Sequence, residues 1–520
     1  MAYINELNVT KQGDSIIFLD LNQSPKDRAQ SDHIRTLGVM GLHQSARRLG
    51  LPSTTLHWSS YWEQDDVILY LTKWLDKVGS KRPIFGFSNL FGLDIFGSTT
   101  ENPSNVTLAQ RIKENFPDSK LIVGGPNPVC VTKPLVKLDA LFYGRALWLM
   151  ERWLQDKPIP KVNTGVNEFG IPIYFNDVAV IPEDPIVPDF HDDYCIGEQD
   201  IVTFETRLGC KFNCTFCGYE FRGNKDPYNA NAEHIIAFME EANGKGLTRF
   251  SIVDDTFNEE QSKLDLMLDV TRQLRFKPRI VGFNRFDVMA HKRKHIEILD
   301  EIGFHGHFWG IETFHPKASK AIRKTARTDK FIEVLEHIRD EYPHWFTTGS
   351  IIVGIPPEST DEAYEMAKRY IGEGLFSGVN LHALMVRKYA EGISDSDADF
   401  ARDPMKYGIT LTGNEPEGDS YHDWTTPYGS YREAKICKDR ILKLALRNGI
   451  GPVNPWNALS KDAMGHKLFT KEGKDKMGRE IIANHHDDNA NNYFTRSFLS
   501  DWERLVGNYV KRKLEYVETL

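Results

Sequence analysis

Cysteine is scarce in this chain, six among 520 residues. Cys130, Cys195 and Cys437 stand far apart, so there is no disulfide framework, and a reducing compartment fits better. No apolar run approaches the roughly 20 residues needed to cross a bilayer, so no membrane partner is expected. The start, "MAYINELNVTKQGDS", lacks the basic-then-apolar order of a secretion signal, and a cytoplasmic protein is the expectation. No Lys/Arg block stands out and the net charge is −9, which weakens nonspecific nucleic-acid binding without excluding a nucleic acid read through a local patch. Internal repeats and low-complexity tracts are absent too. What is there, 40% hydrophobic and 26% charged residues, suits a soluble protein of two or three domains.

Short apolar runs alternate with helical patterns over residues 1–156. "SIIFLD" (15–20), "TTLHW", "PIFGFS", "KLIVGG" and "ALFYG" read as strands, with helices over "HIRTLGVMGLHQSARRLG" (33–50) and near 63–78 and 106–116. That alternation predicts a doubly wound, Rossmann-like α/β domain whose ligands sit at the strands' carboxyl ends, "FSNL" and "GGPNP". Residues 157–200 carry Pro158, Pro160, Pro172, Pro182, Pro185 and Pro188 and read as a linker with a small hairpin. From 201 to 390 six strands recur ("IVTFET", "RFSIVDD", "RIVGFN", "HFWGIE", "SIIVGI", "GVNLHAL"), separated by helices near 230–243, 259–275, 292–302, 316–341 and 359–373. Six such units predict a partial (βα)6 barrel with its site at the C-terminal rim. Residues 391–520 read as loop-rich and then mainly helical, closing the barrel mouth.

The chemistry concentrates in "TRLGCKFNCTFCGY" (206–219), where Cys210, Cys214 and Cys217 have no fourth cysteine near them. Structural zinc takes four closed ligands, and no histidine stands close. A cubane cluster also takes four cysteines, so three leave one iron open to a chelating molecule. The residues alone leave zinc, a cluster and coincidence as readings.

CxxxCxxC on the loop after a barrel's first strand resembles the radical SAM enzymes. The resemblance implies that Cys210, Cys214 and Cys217 hold a 4Fe–4S cluster and that S-adenosylmethionine chelates its open iron. An electron then breaks the sulfonium's bond to the adenosyl carbon, and the radical formed takes hydrogen from substrate. It implies an electron donor such as flavodoxin or ferredoxin. Phe216 fits the motif's aromatic position. Asp254 in "VDDTF" would accept from the cofactor's ammonium group, or cap a helix. Arg285 in "FNRFD" would pair with its carboxylate, or form a barrel-edge salt bridge. Glu312 in "GIETF" would meet its hydroxyls or charge, and Gly354 in "IIVGIPPEST" would pack near its adenosine. His382 reads as a substrate contact or a core histidine, and "NHHDDNANN" (484–492) as a solvated loop. No general acid or base is assigned.

The α/β domain before the barrel resembles that of the cobalamin-binding subgroup, through "FGFSNLFG" (85–92), "VGGPNP" (123–128) and "LDALFYGRA" (138–146). Ser88, Gly124, Gly125 and Gly144 would then meet the nucleotide tail and corrin edge. Departures are the missing DxHxxG, since "SDHIRTLG" (31–38) has the wrong spacing, Asn127 where a histidine is common, and Arg145 where an acid is usual. Both a bound cobalamin and an empty domain stay open. The subgroup's most frequent reaction is methylation of an unactivated carbon, with rearrangement or oxidation as the alternative. A zinc-stabilised α/β binding protein is the rival from another class. The substrate, a small molecule or a peptide, is not legible.

Overall fold

Ser15–Asp20 forms β1, buried along its length as an unbroken apolar run between two covered faces should be. The chain is described from a computed structural model over residues 12–21, 34–59, 62–88, 96, 103–125, 133–175, 184–218, 223, 228–387, 399–412, 421–484 and 490–520. After β1 come α1 (Leu37–Arg48), β2 (Ser53–Leu56), α2 (Gln64–Val78), β3 (Pro83–Ser88), α3 (Pro103–Asn115), β4 (Lys120–Gly125), β5 (Ala140–Tyr143) and α4 (Leu147–Leu154). The strands run parallel in the order β2-β1-β3-β4-β5. Val39 of α1 and Leu149 of α4 pack on one face, Val67 of α2 and Ile112 of α3 on the other. The sheet is therefore doubly wound, as its alternation requires.

The proline-rich stretch does more than connect. Within it β6 (Thr164–Val166) and β7 (Pro172–Phe175) form a hairpin whose β7 pairs in parallel with β5, widening the first sheet to seven strands. Pro172 opens β7 at the outer hairpin, where a missing N–H does least harm.

The second sheet follows chain order. After β8 (Val202–Phe204) and a two-residue pair, β9 (Arg207–Leu208) with β10 (Tyr228–Asn229), the units are α5 (Ala232–Gly244), β11 (Arg249–Ile252), α6 (Gln261–Gln273), β12 (Arg279–Arg285), α7 (Phe286–His291), α8 (Lys294–Ile302), β13 (Phe304–Glu312), α9 (Pro316–Ala321), α10 (Thr328–Glu341), β14 (Phe346–Val353), α11 (Thr360–Gly372) and β15 (Gly378–Ala383). Six parallel strands in the order β15-β14-β13-β12-β11-β8 make an open, partial barrel. Alternation decides the two faces: Phe250 and Ile252 join the core with Phe238 and Leu264 on the helices, while Ser251 points inward. The single helix expected over 316–341 is broken between α9 and α10, where Arg323 adopts a left-handed φ of 57°.

The C-terminal region corrects an expectation. It comprises α12 (Asp399–Arg402), α13 (Tyr431–Arg447), α14 (Pro455–Ala463), α15 (Lys471–Asn484) and α16 (Ala490–Thr519). It covers both ends of the barrel rather than the mouth alone. Phe400 and Trp424 lie at the C-terminal rim, where the Phe400 N–H donates to the Thr215 carbonyl (3.2 Å). The opposite end is plugged by α14, whose Trp456 donates to Ser251 (2.6 Å) and packs 4.5 Å from the Phe283 ring. An open barrel has an apolar interior to cover, and Trp456 covers it. Finally α16 returns to the first domain, placing Tyr509 and Lys513 fully buried against β2 and α2. Among the described residues no helix is long and apolar enough to cross a membrane.

Candidate active site

The cysteine loop leaves the β8–β9 corner and lies across the C-terminal ends of β11 and β12. Its position is fixed by buried charges underneath. Asp254, at the end of β11, accepts from the Thr206 N–H (2.8 Å) and hydroxyl and pairs with Lys263 of α6 at 2.6 Å. Lys263 is itself fully buried and donates to the Thr256 carbonyl (2.8 Å). Glu259 accepts from the Lys211 N–H (2.9 Å) and faces Arg207, which also donates to Asn229 (2.7 Å). Both residues flanking the start of the cysteine loop are thus held by side chains that α6 and its preceding turn supply. Asp254, expected at the cofactor's ammonium group, has its oxygens taken up by this brace.

Two of the three thiols, those of Cys210 and Cys214, are buried, Cys217 is half-buried, and none is in a disulfide. Burial pushes the Cys210 thiol up, although Thr256 beside it (3.6 Å) and the Phe212 N–H work the other way. Arg285, at the end of β12, donates from Nη1 to Cys214 Sγ at 3.2 Å. Its guanidinium binds both oxygens of Asp287 (2.7 and 3.0 Å), donates to the Arg323 carbonyl (2.9 Å) and lies 3.8 Å over the Phe212 ring. The bidentate carboxylate expected for it is therefore one from this chain. Burial works against the arginine's charge, yet Asp287 and the sulfur of Cys214 raise its pKa above the ordinary value.

Across the rim Glu312 ends β13 with a left-handed φ of 67°, at an irregularity in the β13–β14 register. A non-glycine residue held there is strained, and such strain gathers where a side chain must point in one direction. Lys324 donates to Glu312 at 2.9 Å and to the Gly310 carbonyl at 2.7 Å, and Ser350 donates to its other oxygen at 3.4 Å. The break between α9 and α10 is what turns Lys324 inward. Phe216 lies half-buried with the Lys324 ammonium 5.6 Å from its ring centre. His382, exposed at the end of β15, bonds to Asn380 (2.9 Å). Gly354 has a φ of 96°, and a Cβ there would stand 2.8 Å from the Trp424 ring, so that direction is filled by tryptophan. Cys210, Cys214, Phe216, Asp254, Arg285 and Glu312 thus gather on one rim, whereas Gly354 packs beneath Trp424.

Ser88, Gly124, Gly125 and Gly144 come together at the carboxyl edge of the first sheet. Ser88 stands opposite Gly124 in register, and the Gly144 N–H donates to the Gly125 carbonyl (2.9 Å). This edge is tied to the barrel through Arg145, which bonds Glu205 at 2.6 Å just past β8 and the Asp184 carbonyl at 2.9 Å. Asn127, residues 31–33 of "SDHIRTLG" and residues 485–489 of "NHHDDNANN" lie outside the described residues.

Sequence reasoning missed Lys263, Glu259, Asp287 and Lys324. Their signal was weak: Lys263 and Lys324 stand among other polar and charged residues, Glu259 beside a second glutamate, and Asp287 two places after Arg285. The donor set fits an iron–sulfur cluster: three soft sulfurs on one short loop, with a cation aimed at one of them. Among the described residues no three His, Cys, Asp or Glu side chains converge as single-ion ligands, and a cubane, which takes one thiolate per iron, does not ask them to.

Comparison with known proteins agrees. Residues 205–370 match the family model described as the Radical SAM superfamily, so the chain carries a radical SAM domain, with the cluster and S-adenosylmethionine that such a domain implies. The solved structure of the radical S-adenosylmethionine methyltransferase TsrM from Kitasatospora setae, with cobalamin and a [4Fe-4S] cluster bound, is similar at a TM-score of 0.57 and 10% identity, covering 90% of this chain and 99% of that one. The cobalamin-dependent S-adenosylmethionine radical enzyme OxsB, with aqua-cobalamin bound, is similar at 0.52 and 12% identity, covering 98% and 81%. These likenesses establish the fold. A tRNA-2-methylthio-N(6)-dimethylallyladenosine synthase of Streptomyces avermitilis is 24% identical over 182 residues, 33% of this chain and 34% of that protein. The chain spans about a third of the length of the curated relatives it matches.

Proposed function

We propose that this chain, a radical SAM enzyme, cleaves S-adenosylmethionine reductively at a cluster held by Cys210, Cys214 and Cys217, takes cobalamin at the edge of its first sheet, and methylates an unactivated carbon. One observation carries the reading: three thiols on a braced loop at the carboxyl rim of a six-stranded parallel sheet, with Arg285 donating to Cys214. When bound, the cluster supplies the electron that breaks the sulfonium and the corrinoid supplies a methyl carrier.

The chain's own residues supply placement. Asp254, Lys263 and Glu259 set the loop's height above the sheet. Asp287 locks Arg285, and Arg285 holds the Cys214 sulfur. Glu312, fixed by Lys324 and Ser350, offers a carboxylate at the rim to the cofactor's hydroxyls or charge. Phe216 covers the loop's inner side. Ser88 and the glycines put small side chains and backbone at the first sheet's edge, against which a nucleotide tail would lie. The corrinoid part draws support from TsrM and OxsB, to whose folds this chain is similar and whose structures hold cobalamin.

Anaerobic reconstitution should give a brown protein carrying about four irons, lost when the three cysteines become alanine. With S-adenosylmethionine and dithionite it should release 5′-deoxyadenosine, and with cobalamin it should retain a corrinoid absorption and place labelled methyl in product. A colourless chain with one zinc refutes the reading. Iron without corrinoid refutes only the cobalamin part.

A further inference from the structure

A groove of about 640 Å³ runs between α2 and α16 and shares no residue with the cysteine rim. The two helices lie side by side in the same direction. The Trp62 ring, just before α2, is 5.7 Å from that of Tyr509, Lys513 Nζ sits 4.9 Å over the Tyr70 ring, and Lys73 pairs with Glu518. The floor is apolar: Val506, Val510 and Leu514 follow one another four residues apart along α16, with Trp62 and Leu69 opposite. Val510 and Leu514 are only half-buried, and Leu69 is 44% exposed. Gly507 is a second sign. It stands inside α16, exposed on the groove wall, and a Cβ there would meet no described atom within 4 Å. Glycine is among the weakest helix formers, and packing within the described chain does not ask for it here. What the bare position provides is room for a second backbone to come close.

The rim is acidic. Glu63, Asp66 and Glu503 line the groove and form no ion pair among the described residues. The lysines that share the lining are already engaged, Lys73 by Glu518 and Lys511 by Glu515 (3.8 Å). Lys77, a turn beyond Lys73, donates to the Glu518 carbonyl (3.4 Å) at the groove's far end. Arg111 bonds Asp65 (2.6 Å), and Arg504, next in sequence to Glu503, bonds Asp501 (3.1 Å), so neither neutralises the rim. Two such rims repel each other, which makes a second copy of this chain a poor occupant. A cationic occupant is steered in.

We infer that this groove docks a cationic amphipathic helix belonging to a partner polypeptide. From Glu503 to Glu518 the α16 wall is about 22 Å long, about four turns of a helix. A helix laid along it sets apolar side chains against the ridge of Val506, Val510 and Leu514, with its axis close over Gly507. Its lysines or arginines meet Glu63, Asp66 and Glu503. The docking needs neither cluster nor corrinoid, so it stands apart from the radical chemistry proposed above.

The test uses the full chain and two fluorescently labelled peptides of about 18 residues. One is built of leucine, alanine and lysine patterned for an amphipathic helix, and the other has glutamate in place of each lysine. Binding is read by anisotropy at about 50 and 300 mM salt. Wild type should bind the cationic peptide saturably, one per chain, at least about tenfold more tightly than the anionic one, and less tightly at the higher salt. Gly507→Trp fills the groove and should weaken that binding at least about tenfold. Glu63→Gln/Asp66→Asn/Glu503→Gln should weaken it roughly as much at low salt and little at high salt. Gly507→Ala, a single methyl in open space, should keep it. If circular dichroism shows Gly507→Trp misfolded, the neutralised triple variant decides. No saturable binding, equal binding of both peptides, or binding that neither variant weakens overturns the inference. So does a wild-type dimer in sedimentation velocity that Gly507→Trp turns into monomer, because a second copy then fills the groove.

Discussion

Replacing Arg285 by methionine keeps much of its volume and removes its charge. Three partners lose a donor: Asp287, the Cys214 sulfur and the Arg323 carbonyl. The dominant cost comes from Asp287, which is buried and would keep only the Thr325 N–H at 3.2 Å. Breaking a buried pair from one side costs about 3–5 kcal/mol. In a barrel of this size that lowers the midpoint of thermal unfolding by roughly 10–15 °C. The pH dependence gives a second signature. Burial alone would raise the Asp287 pKa, but its hydrogen bonds and charge contact with Arg285 hold it below the ordinary value. In wild type its stabilisation is present above the unfolded pKa and lost as pH falls through the folded one. In R285M burial is left unopposed by the arginine and the folded pKa rises above the unfolded one, so the variant weakens as pH climbs from about 4. The gap between the two proteins should widen from pH 4 to 7. Adding Asp287→Asn should recover part of the loss, giving a favourable coupling of at least 1 kcal/mol in the double-mutant cycle. Cluster-free protein is used, so lost iron cannot mimic the effect. In reconstituted protein, removing a cation and donor from Cys214 should lower the iron–sulfur midpoint potential. A loss under about 1 kcal/mol that does not vary with pH would refute the reasoning.

Other buried groups give outcomes of the same kind. Burial raises Glu358 to about 8, against the hydrogen bond it accepts from Thr313 (2.8 Å). Its contribution is intact below the unfolded pKa and fades as pH rises through 8, by up to about 4–5 kcal/mol when fully ionised. Wild type should therefore lose thermal midpoint between pH 6 and 9 more steeply than Glu358→Gln, and parallel curves would count against this. Gly354→Ala forces a Cβ to 2.8 Å from Trp424 at a φ of 96°, costing about 1–3 kcal/mol; the double variant with Trp424→Leu should fare better. Lys513→Met removes the ammonium that donates to the Asp193 carbonyl (2.6 Å) and Thr54 (3.1 Å) and lies 4.0 Å from the buried Asp193 carboxylate. The last helix should then be clipped faster in limited proteolysis, with barrel fragments appearing at the wild-type rate.

Local signals were legible and distant partnerships were not. The strands of both sheets could be read because each is a short apolar run bounded by turn residues, and the six barrel strands then pair in chain order. The spacing of Cys210, Cys214 and Cys217 marks a candidate site, although spacing alone leaves zinc, a cluster and coincidence open. Asp254 shows the limit. Its place after β11 is written in "VDDTF", but its partner Lys263 lies a helix away, and only folding decides that the pair is buried. Arg285 and Asp287 are two residues apart, yet that spacing equally allows two solvated side chains. Period alone favoured one helix over 316–341, because "KASKAIRKTAR" contains neither proline nor glycine. At the break Lys324 turns inward to Glu312, a tertiary contact that local preference does not encode.

Those unread pairings share a physical role. Lys263 with Asp254, Arg285 with Asp287 and Lys324 with Glu312 are three buried cation–carboxylate pairs set around one loop. Replacing such pairs with apolar residues would often be neutral or better for stability, so stability alone does not explain three of them in one place. Two of the cations touch the loop's own surroundings, Arg285 at the Cys214 sulfur and Lys324 near the Phe216 ring, while Lys263 holds the turn beside Cys210 through the Thr256 carbonyl. A site that must carry thiolates and an added electron gains from fixed positive charge that needs no reorganisation when the electron arrives. The carboxylates then keep those cations from turning outward to water. On this argument the acids are positioning residues: Asp254→Asn and Asp287→Asn should alter the iron–sulfur potential more than they alter the amount of iron retained, a separation that redox titration and iron analysis on the same samples can read directly.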